Sequence, residues 1–359
     1  MPAILEVKKR FQCHRFVLLT NRQTDDGKNR VSSWDVLGPI GWFDEVIVYA
    51  PGGTVREMAK NGLSLARTIR KLSPEHIFNL SPKRSRWQAF RDFFYFRHLA
   101  SHKASYYGPP WRSFLFSAPH PEGEPCRTDR CEPEWKTLLR IAGGREPDSG
   151  FRLAVPECKR EGFQRLAAVK GILARRGEKE KRLLAIGPGS RMPAKKWPVK
   201  NFCELGKLLL RKFPQLHLLV LGASEDEETG RELCQAWGER ACNLAGKLSI
   251  YGSAAALERC AGFIGNDSGT MHLAAMVGTP CVALFSARDR PGKWAPYGDN
   301  HIILRHATQC AGCMLEECVT HRGLCLSMIT VAQVLEAAQK ILTGTNPEKT
   351  GPYLINATH

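Results

Sequence analysis

The chain has 359 residues, 43% of them hydrophobic and 24% charged, which is the balance of a globular protein with room for two domains. Its formal net charge of +17 favours anionic partners without choosing among nucleic acid, anionic lipid and phosphorylated small molecules. No run of about 18 uninterrupted apolar residues occurs. The segment "MPAILEVKKRFQCHRF" has no apolar signal core, and no zinc-finger or RNA-recognition spacing is present. A spanning helix, a secretory leader and a nucleic-acid module are therefore not expected, and the 13 cysteines suit reduced thiols in a cytoplasm.

Along the chain, three apolar, β-rich runs come early: "RFVLLTN" (15–21), "EVIVYA" (45–50) and "HIFNLS" (76–81). Between the last two, residues 54–72 carry apolar side chains at helical spacing. Strand alternating with helix predicts a parallel sheet. Residues 108–157 are rich in Pro and Gly and read as long connections, and residues 158–182 as a basic helix. A cleaner alternating block follows: strands at 183–189, 216–222, 262–267 and 281–286, with helices at 199–213, 224–239, 253–260, 268–278 and 330–342. The tail 344–359 reads as loose. The expected fold class is α/β, with a first domain over 1–165 and a second over 180–343, each doubly wound. In such sheets ligands bind beyond the carboxyl ends of the strands.

Five motifs carry chemistry. "GPGSRMPAKKWP" (187–198) exits a strand: Gly189 lets backbone amides approach an anion, Ser190 adds a hydroxyl, and Lys195 or Lys196 adds charge. It reads equally as a solvated basic loop with Trp197-Pro198 packed at a helix start. In "GNDSGTMHLAAMVG" (265–278), Asp267, Ser268 and Gly269 open a helix whose amides can receive a diphosphate, with His272 one turn in. The same residues also suit a plain helix cap and a satisfied histidine. "GASEDEETG" (222–230) offers Glu225 to a ribose hydroxyl, or Glu225 and Asp226 to a helix dipole. Cys310, Cys313, Cys318 and Cys325, with His321 among them, suit a structural zinc site, free thiols or labile disulfides. Finally, "KRSRWQAFRDFFYFRHLASHK" (83–103) sets six Lys/Arg and six aromatics beside one acid, which suits an anionic sugar-lipid or a membrane surface. It also suits an amphipathic helix with a buried aromatic face.

Taken together, "GSRMPAKKWPVKNFCEL", "LAGKLSIYGSAAALERCAGFIGNDSGTMHLAAMVGTPCVALFSARDRPGKWAPYG" and "CAGCMLEECVTHRGLCLSMITVAQVL" resemble glycosyltransferase family nine, the ADP-heptose:lipopolysaccharide heptosyltransferases. The resemblance implies a GT-B fold of two Rossmann-like domains facing a cleft. It implies an inverting transfer that needs neither metal nor cofactor, from an ADP-heptose-like donor to an anionic glycolipid acceptor, in the cytoplasm at the inner face of the inner membrane. By the same resemblance Gly189, Ser190 and Lys195 meet the donor phosphates, with Lys195 stabilising the leaving group. Asp267, Ser268, Gly269 and His272 line the helix mouth, and Glu225 approaches the ribose. The family opens with a strand and a Gly-Asp loop that carries the general base. This sequence begins at what reads as the helix after that loop, so the base is expected upstream of Met1 and the first domain is expected to lack its first strand. Asp35 in "RVSSWDVLG" is not a substitute, because "TDDGKN" before it is a turn. A catalytically inactive sugar-nucleotide binder and a GT-B-type sugar-nucleotide epimerase are the alternative functions.

Overall fold

The structure, a computed structural model, describes residues 1–21, 33–49, 54–80, 86–101, 103–108, 133–144, 151–169, 171, 182–344 and 353–355. The chain divides into two compact units, residues 1–125 with 134–148, and residues 126–133 with 149–359.

In the first unit the described elements are α1 (Pro2–Arg10), β1 (Val17–Asn21), α2 (Ser33–Leu37), β2 (Glu45–Tyr49), α3 (Val55–Leu72), β3 (His76–Phe78), α4 (Arg86–Phe94), β4 (Ser105–Tyr107) and α5 (Glu134–Ile141). A capping box starts α3: the Glu57 amide donates to Thr54 Oγ1 at 3.3 Å and the Thr54 amide to Glu57 Oε2 at 2.7 Å. α4 runs on as a π-helical turn, Tyr95–Ala100. Asp35 lies within α2. Helix α5 falls inside the stretch read as connections, because "EWKTLLRI" spaces Trp135, Leu138 and Leu139 on one helical face.

The four strands of this unit do not form one sheet. β1 pairs with β2 in parallel, β3 pairs with β4 in parallel, and no ladder joins β1 to β3 among the described residues. Helices bridge the two halves instead. On one side Ala3 and Val7 of α1 pack with Phe16, next to β1, and with Phe78 of β3. On the other, Ala66 and Ile69 of α3 pack with Leu19 of β1 and Ile77 of β3. Ile77 and Phe78 point to opposite faces, as the period of a strand dictates.

The second unit holds α6 (Glu157–Val169), β5 (Arg182–Gly187), α7 (Val199–Lys212), β6 (Leu216–Val220), α8 (Glu227–Trp237), β7 (Ala241–Asn243), α9 (Ile250–Glu258), β8 (Cys260–Asn266), α10 (Gly269–Met276), β9 (Cys281–Phe285), β10 (Ile302–Arg305), α11 (Leu324–Ser327), α12 (Val331–Thr343) and β11 (Tyr353–Ile355). Its seven strands form one parallel sheet in the order β11-β10-β9-β8-β5-β6-β7. Alternate residues of successive strands (Leu184 and Ile186, Leu218 and Val220, Val282 and Leu284, Ile302 and Leu304) join Leu205 and Leu209 of α7, Leu233 of α8 and Val334 and Ile341 of α12 in one core. The intervening Leu183, Ala185, Leu219, Phe263 and Ala283 are buried as well. A sheet buried on both faces needs this near-continuous apolar run, which is why these strands were readable.

Three of the strands differ from expectation. β7 and β10 are too short, at 3 and 4 residues, to show a period. β11 lies in the tail read as loose: Tyr353 pairs beside Ile302 and Ile355 beside Leu304. The free edge of β10 offers unpaired backbone groups, and Tyr-Leu-Ile is a composition that takes them up.

Candidate functional site

The strand order of the second sheet reverses at β5: the chain moves outward through β6 and β7 on one side, then returns to β8 on the other. A doubly wound sheet opens its ligand crevice at such a switch point, beyond the carboxyl ends of the strands. Here those ends are Gly187 of β5 and Asn266 of β8. Gly187 and Gly265 sit side by side in the register, and a Cβ on Gly265 would come within 2.5 Å of the Gly187 carbonyl oxygen. Glycine alone lets the two exits run so close.

Asn266 binds these exits together. Fully buried, it accepts from the Trp197 amide at 3.0 Å and donates through Nδ2 to the Pro188 carbonyl at 2.6 Å. The Trp197 indole, 1% exposed, donates to the Ile329 carbonyl at 2.9 Å. The loop between them is pinned at both ends, and Lys195, at the end of a 3-10 turn over Pro193–Lys195, is presented from it.

Lys195 Nζ lies 2.6 Å from Asp267 Oδ2 and 3.8 Å from Asp289 Oδ2, its side chain only 11% exposed. Asp289 is in turn held by Arg288 at 2.5 Å, and Lys293 stands 4.0 Å from its other oxygen. Arg288 also donates to the carbonyls of Leu315, at 2.6 Å, and Met314, at 2.7 Å. Three cations thus face two carboxylates, a surplus of positive charge in a poorly hydrated place where solvent screens it less than on the open surface. Ser190 Oγ donates to the Asp267 carbonyl at 3.3 Å, joining the β5 loop to the mouth of α10.

At that mouth Ser268 is the N-cap in an extended conformation, but its hydroxyl caps nothing: Oγ is buried and finds no partner among the described residues. The first amides of α10 thus have no side-chain cap, and such uncapped amides suit an anion. His272 lies one turn in, where burial lowers its pKa, Asp267 raises it in opposition and Lys195 lowers it further. A neutral imidazole here can donate or accept.

Gly189 is covered by another residue: a Cβ on it would fall 2.1 Å from the Asp226 carboxylate. Asp226 Oδ2 accepts from the Ala223 amide at 3.0 Å, and burial raises its pKa. Glu225 is exposed, bonded to Ser224 Oγ at 3.1 Å. At the end of β6 it is thus Asp226, not Glu225, that lies over the glycine turn.

Cys310, Cys313, Cys318 and Cys325 line one cavity of ≈ 10 Å³, about the room of one water, with His321, Ala194 and Arg288. All four are free thiols. No three donors of this set come within 4.8 Å of one another. The Ala287 amide donates to Cys325 Sγ at 3.3 Å, and burial raises the Cys325 pKa. The Ala194 amide donates to the Glu316 carbonyl at 3.0 Å, so this segment braces the Lys195 turn from outside.

The structure thus gathers Ser190, Lys195, Asp267, Ser268, Gly269 and His272 and leaves Glu225 at the rim. Asn266, Arg288 and Asp289 had no role assigned from sequence. Asn266 could have been found as a polar residue ending an apolar strand, whereas "SARDRPGKW" carries no spacing that singles out Asp289.

A parallel sheet with a basic crevice at its switch point is a Rossmann-like arrangement, the kind of domain from which GT-B folds are built. Residues 147–322 match the model of glycosyltransferase family 9 (heptosyltransferase). It is 32% identical over 131 residues to lipooligosaccharide heptosyltransferase 2 of Haemophilus influenzae, covering 35% of this chain and 37% of that protein. The chain spans about a third of the length of the first curated relatives it matches. Its fold matches the structure of E. coli ADP-heptose lps heptosyltransferase II with a TM-score of 0.60, at 19% identity over 96% of this chain and 94% of that one. It also matches the family 9 glycosyl transferase of Veillonella parvula with a TM-score of 0.63, at 20% identity over 96% and 92%.

Proposed function

We propose that the protein is an inverting glycosyltransferase that moves a heptose or related sugar from an ADP-heptose-like donor to a lipopolysaccharide-core or similar surface-glycan acceptor. The observation that carries this reading is Lys195, held 2.6 Å from Asp267 at the N-terminus of α10, which has no side-chain cap. In the transfer the bond from the anomeric carbon to the diphosphate oxygen breaks and a bond to the acceptor oxygen forms. The acceptor proton passes to a base, and the diphosphate leaves with the negative charge. Fixed positive groups aimed at that developing charge lower the barrier without a metal. Lys195, the first amides of α10 and the hydroxyls of Ser190 and Ser268 are those groups. A carboxylate does not bind phosphate, so Asp267 serves as the positioning residue of Lys195. Asp226, beside the Gly189 turn, is the better placed of the two acids for a ribose hydroxyl. The names of the family 9 relatives support the sugar and the acceptor.

The test is donor binding by calorimetry with a panel of sugar nucleotides, and transfer to a lipopolysaccharide-core acceptor. Lys195→Met is expected to lower kcat/KM about 10²–10³-fold, the usual cost of one oxyanion donor, and to weaken donor binding. Asp267→Asn does the same more mildly. Donor binding indifferent to both changes would overturn the proposal. Turnover of donor without any acceptor would move it to the epimerase reading.

A further inference from the structure

A second cluster of ligating side chains belongs to the first unit. His14 sits in the turn between α1 and β1, Glu75 lies just before β3 and His76 begins that strand. One donor atom from each lies within 4.8 Å of the other two, the one such trio among the described residues. We propose that His14, Glu75 and His76 form a binding site for a divalent first-row transition metal of the zinc type, which clips the two half-sheets of the first unit together.

The spacing favours a metal over an ion pair. His14 Nε2 and Glu75 Oε2 are 3.4 Å apart, long for a charge-assisted hydrogen bond. Two ligands at about 2.0–2.1 Å from one tetrahedral ion stand about 3.4 Å apart. The donor set of two imidazoles and a carboxylate suits zinc and its neighbours, whereas calcium and magnesium call for oxygen. His76 supplies an independent sign: its Nδ1 is buried and has no hydrogen-bond partner among the described residues. Such a nitrogen is unfavourable unless something fills it.

The site is also braced. Phe11 packs beside both imidazoles, its centroid 5.4 Å from that of His14 and 4.5 Å from that of His76, while the two imidazole centroids are 6.0 Å apart. Tyr107 closes on His76 from β4 at 5.8 Å. The His14 amide donates to the Phe11 carbonyl at 3.1 Å, and the Ser105 amide to the Glu75 carbonyl at 2.8 Å, so both backbone segments are fixed. His14 belongs to the β1 side of the divided sheet, Glu75 and His76 to the β3 side. Among the described residues no ladder joins β1 to β3, and a bound ion would supply a link between them.

The experiment uses the full chain. Zn²⁺ is expected to raise Tm by several degrees by mass action on the folded state. Co²⁺ is expected to bind one to one, with a visible spectrum free of thiolate charge transfer. Glu75→Gln and His76→Phe, the second keeping an aromatic ring against Phe11, are expected to weaken Co²⁺ binding at least about tenfold and to remove the Tm shift. A Co²⁺ spectrum dominated by thiolate bands would place the ion at the four cysteines and overturn the proposal. So would a Tm unmoved by Zn²⁺, or a shift that survives both substitutions. Donor binding at the Lys195 site stays unchanged in these variants, so this test and that of the transferase reading can fail separately.

Discussion

His301 shows how a single buried side chain sets a pH limit. It is 2% exposed, accepts the Cys281 amide on Nδ1 at 3.2 Å and donates from Nε2 to the Tyr297 carbonyl at 2.8 Å, so it is held neutral. Burial pushes its pKa down to about 4, against partial opposition from the Tyr297 carbonyl and Asp299, and nearby His272 presses it the same way as burial. With the folded pKa below the unfolded value of about 6.5, the unfolded chain binds the extra proton between those limits. The stability from His301 is complete above about pH 6.5 and is lost as pH falls toward 4. The loss is on the order of 3 kcal/mol, since each tenfold difference in proton affinity between the folded and unfolded chain is worth about 1.4 kcal/mol. Urea denaturation from pH 7.5 to 4.5 should show it, and His301→Gln should flatten that part of the slope, leaving a contribution of the same sign from His272. None of this was visible in "GDNHIILRH", because burial is a tertiary property. Lys195 and Asp267 were visible, since each follows a glycine-rich strand exit where an anion site needs such residues. Asn266 stood out only as a polar residue ending an apolar strand, and its role was hidden because its partners are backbone groups at 188 and 197, far from it along the chain.

Elements were legible in proportion to their length and period. The 18 residues of α3 and the 13 of α12 each carry several turns of apolar spacing and a side-chain cap, Thr54 in one and Thr330 in the other. β4 and β7, of 3 residues each, offer no repeat to read, and only their neighbours make them strands. Packing between elements was less legible still. Where α7 crosses α8, Gly206 lies against the Trp237 indole, and a Cβ at 206 would stand 2.2 Å from its ring atoms. The indole cannot retreat freely, because its Nε1 donates to the Cys203 carbonyl at 2.9 Å. Gly206→Ala should therefore destabilise the second unit by about 1–3 kcal/mol through overpacking, although alanine favours a helix. A urea midpoint raised by the substitution would show that propensity outweighs the clash.

For the molecule as a whole, the crevice, with three cations against two carboxylates, accounts for only one unit of the net charge of +17. That surplus bears on where an anionic acceptor is met. On α4, Trp87, Phe90 and Phe94 recur at helical spacing and are 73%, 40% and 56% exposed. Phe90 and Phe94 stack at 6.3 Å, and Arg91 beside them is tied to Asp92 at 2.7 Å. No described helix is long and apolar enough to cross a membrane. Exposed aromatics on a basic chain are the composition of a surface that enters the interface of an anionic bilayer, where apolar burial and charge add. The protein should therefore sediment with vesicles containing anionic phospholipid and not with neutral ones. Raising the salt to about 0.5 M should weaken the electrostatic part, since the Debye length then falls below about 8 Å. Replacing Trp87 and Phe94 together by Ser should weaken binding at low salt about tenfold or more, because two interfacial aromatics supply the apolar part. Vesicle binding that ignores both the salt and the two substitutions would mean that another face carries the contact. If only the salt matters, charge alone brings the protein to the membrane and the aromatic stripe belongs to some other contact.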